Sequence, residues 1–281
     1  MKFNKYDNVN LFWNDIKNLV EKEEWYNTLL IGNCREAMEN KNIDMFLATI
    51  IIQDKIELIM LYRKPWKLLL YSPTNNYSDE IIKFAAENIF EFDNKLLGVN
   101  SEKEVANKFA KYYTELSNLK YTVHTGLRIL LLENLEGANL LEDAVCRKAN
   151  IEDKPILINF IKEFISEALH KEFDDQSVNE KFNKYFNSGY FVLERAGKIV
   201  SQATIGRIMK NGKCISVVYT PKEERGKCYA YNLIYRISKE LLDSGDDYCV
   251  LYTDDSNPIS NHVYEKVGYK RKSDWVDIDF M

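Results

Sequence analysis

The alternation of apolar and polar residues changes period several times along this chain and predicts its elements. Apolar residues at roughly helical spacing predict a helix over residues 11–21, capped by Asn8 or Asn10. Its apolar stripe consists of Leu11, Ile16, Leu19 and Val20. Residues 25–38 form a second amphipathic segment. Short stretches rich in Ile, Leu and aromatic residues then predict a three-stranded meander over residues 46–53, 55–62 and 66–71.

After the meander, the pattern returns to longer helical periods separated by short strands. Helix, strand, helix and strand are predicted in turn over residues 78–90, 96–99, 102–116 and 127–132. Residues 133–142 contain Asn134, Gly137 and Asn139 and are predicted to form a linker.

The second half repeats this order of elements. A strand over residues 144–147 precedes helical segments at 151–169 and 178–187. A second meander follows over residues 190–194, 198–208 and 213–219, with turn signals at Ala196-Gly197 and Asn211-Gly212. Helix, strand, helix and strand then follow over residues 226–243, 248–252, 258–267 and 275–280. The shared order predicts two related α/β domains, residues 1–135 and residues 143–281.

Composition and charge narrow the functional classes. The 281 residues allow one large domain or two of ordinary size, and 46% hydrophobic residues with 18 Tyr and 14 Phe indicate an ordered globular protein. The net charge of -5, without a run of basic residues, argues against a nucleic-acid partner. No apolar stretch approaches the roughly 18 residues of a membrane span. Since the N-terminus also lacks the apolar core of a signal peptide, we expect a cytoplasmic location.

Cysteine and histidine usage gives no sign of a disulfide framework or a metal site. No two cysteines form a C-x-x-C pair, which predicts reduced, mostly buried thiols. The five cysteines are Cys34, Cys146, Cys214, Cys228 and Cys249. The three histidines, His124, His170 and His262, lack metal-ligand spacing, so no metal is expected.

The most informative stretch is residues 217–230, where a strand passes through a loop into a helix. The strand is predicted to end at Tyr219, Pro221 turns the chain, and Gly226 opens an amphipathic helix. Exposed backbone N–H groups and the positive end of the helix dipole at such a terminus suit an anionic pyrophosphate. Any α/β crossover has a helix start of this kind, so the loop alone is a moderate signal.

A second informative stretch, residues 257–269, follows the next predicted strand. Asn257 is a good N-cap and Pro258 a good first helical residue. At ~100° per residue, one helix face carries polar groups and another is apolar. The polar face carries Asn257, Ser260, Asn261 and Tyr264, and the apolar face carries Ile259, Val263 and Val267. Tyr264 is therefore predicted to lie outside the buried stripe.

Together the two stretches resemble the GNAT N-acetyltransferase superfamily. They read V-Y-T-P-x-x-x-R-G-x-x-Y-A and N-P-x-x-N-x-x-Y-x-x-x-G-Y, in family order and at family spacing. The family loop is Q/R-x-x-G-x-G/A. Arg225 and Ala230 match its ends, while Cys228 stands where the family normally has glycine. The resemblance covers residues 143–281, roughly half of the chain.

The first half resembles a degenerate copy of the same fold, because Ser72-Pro73-Thr74-Asn75-Asn76 replaces the Arg/Gly loop. The resemblance thus implies an α/β (α+β) protein of two tandem GNAT-like domains. Each would hold a mixed, mostly antiparallel twisted sheet flanked by helices.

The resemblance also implies the roles of individual residues, with acetyl-CoA as cosubstrate and no metal. Backbone amides of Val217, Val218 and Tyr219 would serve the thioester and pantetheine. The pyrophosphate would be held by Arg225, Gly226, Lys227, Cys228, Tyr229 and Ala230. Asn257 would contact the pantetheine or thioester region, and Asn261 is counted among the cofactor-binding residues. Tyr264 would donate a proton to the departing thiolate.

Two features of this implied site stay open at the level of sequence. The general base is not identified. Its candidates are Glu194, Asp254, Asp255 and Glu167, for each of which a solvated surface role is favoured. The β-carbon of Cys228 could crowd the pyrophosphate, although a helical φ there would tolerate it, so we expect weakened rather than abolished binding of CoA.

These residues leave three functional hypotheses. The first is an acyltransferase that moves an acetyl group from acetyl-CoA to a primary amine of an unidentified acceptor, by direct attack in a ternary complex. Its acceptor would be a small amine or a peptide, bound near residues 166–187. The protein could assemble as a homodimer. The second is a non-catalytic acyl-CoA-binding or scaffolding protein. The third, an aminoacyl transferase using aminoacyl-tRNA, is disfavoured by the acidic charge.

Overall fold

The structure is a computed structural model that describes residues 1–40, 42–137, 139–169 and 174–281. Residue 138 of the predicted linker and residues 170–173, which include His170 and part of the predicted acceptor region, lie outside the described residues. The chain divides into two units. Unit 1 comprises Met1–Ile129, Asp254–Ser256 and Lys272–Met281, and unit 2 comprises Leu130–Thr253 and Asn257–Arg271.

The first half of the chain contains each of its predicted helices and strands, with ends shifted by up to six residues, and also a strand, β1, that the sequence pattern does not predict. In order they are β1 (Lys2–Lys5), α1 (Val9–Val20), α2 (Thr28–Glu39), β2 (Phe46–Ile52), β3 (Lys55–Tyr62), β4 (Leu68–Tyr71), α3 (Asp79–Phe92), β5 (Gly98–Glu102), α4 (Lys103–Ser117) and β6 (Tyr121–Leu132). A 3₁₀ turn, Glu21–Glu23, separates α1 from α2.

The start of α1 confirms one prediction and corrects another. The Asn8 side chain accepts hydrogen bonds from the amides of Asn10 and Leu11, so it is the N-cap. Leu11, however, is 53% exposed and not part of the buried stripe. The buried face runs through Phe12, Ile16 and Val20 at four-residue spacing, and Leu11 lies beside it.

Unit 1 is completed by a strand from the far end of the sequence. Its strands follow the order β1-β2-β3-β4-β5-β12, where β12 is Lys270–Phe280. Strands β4 and β5 are parallel, while β12 pairs antiparallel with β5, from Trp275 opposite Glu102 to Asp279 opposite Gly98. A β-carbon at Gly98 would lie 2.0 Å from the Ile278 carbonyl oxygen, so glycine alone permits this approach.

The closing strand also bears on the domain division. Residues 143–281 are predicted to form one domain, whereas residues 272–281 are grouped with unit 1 because of their pairing with β5. Val276 and Ile278 are buried there with residues of α3 and α4 such as Ile82 and Phe109. The division at residues 135–143 stays a prediction.

Unit 2 carries the elements of the second half in their predicted order. They are β7 (Ala144–Lys148), α5 (Lys154–Leu169), α6 (Asp175–Ser188), β8 (Tyr190–Arg195), β9 (Lys198–Ile208), β10 (Gly212–Tyr219), α7 (Tyr229–Asp243), β11 (Tyr248–Asp254) and α8 (Pro258–Val267). The strand order is β11-β10-β9-β8-β7, antiparallel except for the parallel pair β10–β11.

Both faces of the unit 2 sheet are covered by helices. Leu233 and Ile237 of α7 and Val267 of α8 pack with one set of strand residues. Phe160 of α5 and Phe182 of α6 pack with another set. The predicted fold class, a mostly antiparallel mixed sheet flanked by helices, is confirmed.

Most of the cysteines are at least partly buried, as their apolar surroundings in the sequence predict. Cys34, Cys214 and Cys249 are buried thiols, Cys146 is half-buried, and Cys228 is exposed. Burial raises the pKa of Cys34 to about 12. Within the described ranges, no helix is long and apolar enough to cross a membrane, and no three His, Cys, Asp or Glu side chains group as metal ligands.

Candidate functional site

Strand β10 contains a bulge at the position where the sequence places Val217 and Val218. Ser216 lies opposite Thr204, but Tyr219 lies opposite Gln202, so β10 has one more residue than β9 between these pairs. Val217 has φ of +51°, in the left-handed region that β-branched residues rarely adopt. The bulge therefore turns backbone groups of β10 out of the regular ladder.

Beyond its first residues, β10 also parts from β11. The parallel register covers three pairs, from Gly212 opposite Tyr248 to Cys214 opposite Val250. Both strands continue past these pairs, β10 to Tyr219, without further register partners between them among the described residues. The strands thus diverge on the side where β10 carries its bulge.

The buried carboxylate of Glu224 anchors the loop after β10 through two hydrogen bonds. A 3₁₀ turn, Lys222–Glu224, ends in Glu224, which accepts hydrogen bonds from Lys198 Nζ at 2.6 Å and Lys227 Nζ at 2.8 Å. These hydrogen bonds lower the pKa of Glu224 below its usual value. Apart from its neighbours in the chain, Gly226, with φ of +76°, has no described atom within 4 Å of the place where a β-carbon would stand. The loop backbone is therefore open to a ligand at Gly226.

Cys228 immediately precedes α7 in a conformation that favours glycine. Its φ is +61° and its ψ is 20°, which is the left-handed region. Cys228 therefore does not have the right-handed helical φ that would tolerate its side chain. The Cys228 carbonyl accepts from the amide of Asn232 at 3.0 Å and from its side-chain Nδ2 at 2.9 Å, which fixes this conformation. A non-glycine residue in this region costs ~1 kcal/mol.

The first residues of α7 contribute backbone groups. Tyr229 is buried, and its hydroxyl accepts a hydrogen bond from Arg195 at 3.2 Å, so its ring faces the core. Tyr229 and Ala230 can therefore offer a ligand their backbone N–H groups at the positive end of the helix.

Arg225, in the loop between β10 and α7, pairs with helix α5. The sequence pattern does not predict that α5 lies beside this loop. Its Nη2 donates to Glu167 Oε2 at 2.7 Å, and its Nε donates to the Thr220 carbonyl at 2.9 Å. The Tyr219 hydroxyl donates to Glu167 Oε1 at 2.9 Å. Burial raises the pKa of Glu167, but the hydrogen bonds from Arg225 and Tyr219 outweigh it and lower that pKa overall. Sequence reasoning missed this pairing, since nothing in the pattern links α5 to the loop.

Helix α8 turns a different face to the protein than its pattern predicts. Asn257 is the N-cap, with its side chain accepting from the Ser260 amide at 3.0 Å. The buried residues are Asn261, Tyr264 and Val267, whereas Ile259 is 78% exposed. The predicted separation of Tyr264 from the buried stripe is wrong, because the Asn261–Tyr264 face is the one that packs.

Tyr264 is a buried phenol within the apolar cluster of this face. It is 7% exposed, and its ring meets that of Tyr269 edge-on at 6.1 Å. Burial raises the pKa of Tyr264 well above its usual value, so the hydroxyl is protonated at neutral pH. The same cluster includes Tyr229, with Val218 packed against it. Val218, Tyr229 and Tyr264 thus belong to one apolar cluster, while Tyr219 and Arg225 contact Glu167.

Each candidate base is engaged by another group. Glu194 accepts from Arg147 Nε at 2.9 Å, and Asp254 accepts from the amide and hydroxyl of Ser256, both at 2.7 Å. Asp255 is paired with Arg128. With Glu167 bound to Arg225, the carboxylates proposed from sequence all have structural partners.

The corresponding place in unit 1 is filled by side chains of that unit. Strands β4 and β5 have two parallel register pairs, and beyond them Ser101 Oγ donates to the Leu70 carbonyl at 2.7 Å. The Tyr26 ring packs 5.3 Å from that of Trp275, and its hydroxyl donates to Glu102 at 3.1 Å. Within the described part of unit 1, hydrogen bonds and packed rings therefore occur at this position.

Solved structures of similar fold include several acetyltransferases. A GNAT-family acetyltransferase from Colwellia psychrerythraea is 12% identical, with a TM-score of 0.65 and full coverage of both chains. A GCN5-related N-acetyltransferase from Kribbella flavida is 14% identical with a TM-score of 0.60, over 90% of this chain and 95% of the other. A tandem GNAT protein from the clavulanic acid biosynthesis pathway is 7% identical with a TM-score of 0.56, over 100% of this chain and 98% of the other.

At these identities the likeness concerns the fold, and no curated protein sequence matches the chain. The family model for GNAT acetyltransferase, however, matches residues 88–277. The match takes in the bulged strand, the loop, α7 and α8, and it begins further towards the N-terminus than the resemblance seen in the sequence. It covers well over half of the residues, and the chain belongs to the GNAT acetyltransferase family.

Proposed function

We propose that this protein is an N-acyltransferase that moves an acetyl group from acetyl-CoA to a primary amine by direct attack in a ternary complex. The observation that carries the proposal is the divergence of β10 from β11 beyond Cys214, where β10 carries the Val217 bulge and then leads through the loop into α7. Such a gap suits an extended pantetheine arm, and a helix N-terminus suits its diphosphate.

The cosubstrate would bind mainly through backbone groups. Amides of Val217, Val218 and Tyr219 line the diverging strand and would serve the thioester and pantetheine. The open backbone at Gly226, with Lys227, Cys228 and the start of α7 at Tyr229 and Ala230, would serve the diphosphate. Arg225 adds a cation beside this loop. Asn257 and Asn261 would complete the site from α8.

The proposed reaction forms an N–C bond and breaks the C–S bond of the thioester. The amine nitrogen attacks the carbonyl carbon, and the negative charge that develops on the carbonyl oxygen is stabilised by backbone N–H groups at the bulge. The amine loses a proton to solvent, the departing thiolate gains one from Tyr264, and the Tyr264 phenolate is then reprotonated from solvent. Because burial keeps Tyr264 protonated, it is suited to be the acid. The proposed reaction uses no metal.

The acceptor is proposed to be a small amine or a peptide, bound near residues 166–187, in a cytoplasmic protein. The test is incubation with acetyl-CoA and a panel of polyamines, aminoglycosides, amino acids and peptides, with release of free thiol as the readout. Stabilisation of the fold by acetyl-CoA together with thiol release that depends on one class of amine supports the proposal. Absence of any stabilisation by CoA would refute it.

A non-catalytic acyl-CoA-binding protein is the second candidate, favoured by two observations. Cys228 occupies a left-handed position where the family has glycine, and each candidate base is engaged. For this function acetyl-CoA would raise the melting temperature, but no amine would give turnover.

The role of the loop is tested separately by Arg225→Glu. Reversing the charge beside the diphosphate is expected to weaken CoA binding first, with a smaller effect on kcat at saturation. Isothermal titration calorimetry with coenzyme A and steady-state kinetics separate the two effects. A loss confined to kcat would contradict the assignment of Arg225 to the loop.

A further inference from the structure

Glu167 forms a carboxylate bridge between α5 and the loop that follows β10. One oxygen accepts from Arg225 Nη2 at 2.7 Å and the other from the Tyr219 hydroxyl at 2.9 Å. Lys222 Nζ lies 3.6 Å from the second oxygen. The Glu167 carboxylate therefore interacts with Arg225 and Lys222, the same cations that a diphosphate bound at the loop would contact.

Arg225 does not depend on Glu167 for its position. Its Nε donates to the Thr220 carbonyl at 2.9 Å, and its guanidinium lies 5.5 Å from the centre of the Tyr219 ring. A guanidinium has five N–H donors, so Arg225 keeps this anchorage and gains free donors when the carboxylate leaves. The Arg225 side chain is 46% exposed, which leaves it accessible to a ligand.

From these contacts we infer that Glu167 is a positioning residue that competes with the diphosphate of CoA for Arg225 and so sets how tightly the loop holds an anion. The inference rests on the proposed function, since it takes the loop as the diphosphate site. Glu167 acts through Arg225 and takes no part in the bond-forming step.

The charge arrangement gives the direction of the effect. A diphosphate near Arg225 would also lie near the Glu167 carboxylate, whose negative charge opposes it. Because the pair is partly exposed, water screens both the attraction within the pair and the repulsion of the ligand. Replacing Glu167 by Gln removes the charge but keeps a hydrogen-bond acceptor, and it is expected to tighten CoA binding by roughly 3–10-fold.

The experiment measures the Kd of coenzyme A by calorimetry for the wild-type chain, Glu167→Gln and Glu163→Gln. Glu163 lies one turn earlier on α5 and also places a negative charge near Tyr219, so its variant matches the change of charge without touching Arg225. Glu167→Gln is expected to bind more tightly, and Glu163→Gln to bind like the wild type. Glu167→Ala is a second variant with the same expected direction.

Two further readouts separate competition from a structural role. In an Arg225→Gln background, Glu167→Gln should no longer improve affinity, because the cation through which it acts is gone. If amine acetylation is found, Glu167→Gln should lower KM for acetyl-CoA without a matching rise in kcat.

The outcomes are distinguishable. Equal or weaker binding by Glu167→Gln and Glu167→Ala overturns the inference while leaving the proposed function intact. The same gain in the Arg225→Gln background, or in Glu163→Gln, also overturns it. Failure of the wild-type chain to bind coenzyme A overturns the proposed function, and the inference with it.

Discussion

Tyr264 lies in an apolar cluster, and burial keeps its hydroxyl protonated. If it supplies the proton to the departing thiolate, Tyr264→Phe should lower kcat about 10²-fold, the scale of general acid catalysis. Coenzyme A binding should be nearly unchanged, since the ring is kept. Because its pKa is raised, kcat should show no loss of this acid below pH ~10. Steady-state kinetics over pH and calorimetry check the three points.

Tyr269 provides the matched control for this variant. It belongs to the same cluster, and its hydroxyl shares a 2.9 Å hydrogen bond with Ser238. Tyr269→Phe should lose about 1 kcal/mol of stability, from a lost buried hydrogen bond, while kcat is retained. Equal loss of kcat in both variants would assign the effect of Tyr264→Phe to packing.

Cys228 allows a test of the left-handed position before α7. Cys228→Gly should relieve backbone strain of ~1 kcal/mol and remove the β-carbon beside the proposed diphosphate site, so coenzyme A should bind more tightly. The gain in folding stability should be small, because glycine also makes the unfolded chain more flexible. Cys228→Ala keeps the β-carbon and should bind like the wild type. Tighter binding by both variants would assign the effect to the thiol, and a Cys228→Gly variant that binds like the wild type would contradict the prediction.

For single residues, the sequence predicts which residue forms a turn or a cap better than it predicts which distant residues contact each other. Gly226 and Asn257 stand where turn and capping chemistry require them, so their places follow from local rules. The bulge at Val217 does not follow, because valine disfavours the φ of +51° that it adopts there. The pairing of Glu167 with Arg225 joins residues 58 apart, and no local rule reaches that far.

At the scale of elements, the start of α5 depends on a charged cap. Asn150 and Asp153 form a capping box on the 3₁₀ turn that leads into the helix. Arg147 donates to both oxygens of Asp153, at 2.7 and 3.0 Å. These contacts tie the helix to β7 through one buried carboxylate.

Asp153→Asn should therefore destabilise the fold by ~2 kcal/mol at pH 7. The Arg147 hydrogen bonds lower the pKa of Asp153 below its ordinary value of 3.8. The stabilisation is thus fully present above about pH 4 and is lost as the pH falls through the lowered value. Urea unfolding between pH 3 and 7 should show the difference from wild type shrinking on acidification. Glu152→Gln, an exposed neighbour, should have little effect at any pH.

Helix α8 shows why the existence of an element is easier to predict than its orientation. Its bounds, Pro258–Val267, follow from the cap and the proline. Its buried face does not, because Tyr264 and Asn261 pack inward while Ile259 stays exposed. Aromatic and amide side chains can be buried as readily as aliphatic ones, and the neighbouring elements decide which of them is covered.

At the scale of the whole molecule, we expect unit 2 to bind coenzyme A and unit 1 not to bind it. Unit 2 has diverging strands beside an open loop, whereas Ser101, Tyr26 and Trp275 fill the corresponding place in unit 1. Calorimetric titration with coenzyme A should therefore give one site per chain, and Arg225→Glu should weaken that site. Two sites per chain, or a site insensitive to Arg225→Glu, would contradict this prediction.

Apart from β1, the order of the helices and strands could be predicted from the sequence, because hydrophobic period and turn residues are local signals. The sequence does not predict to which unit the strand β12 belongs. Its pattern is that of a strand closing the second half, yet residues 272–281 belong to unit 1. A sequence pattern shows that a strand has an apolar face, but many sheet edges can accept such a face.

The pairing of β12 with β5 has a consequence for biosynthesis. Unit 1 cannot be completed when residues 1–129 leave the ribosome, because β12, which covers the edge of β5, follows the elements of unit 2 along the chain. Until then the nascent chain presents unpaired backbone groups along β5, the kind of edge on which other strands add. We therefore expect unit 1 to complete its folding only after β12 has been translated.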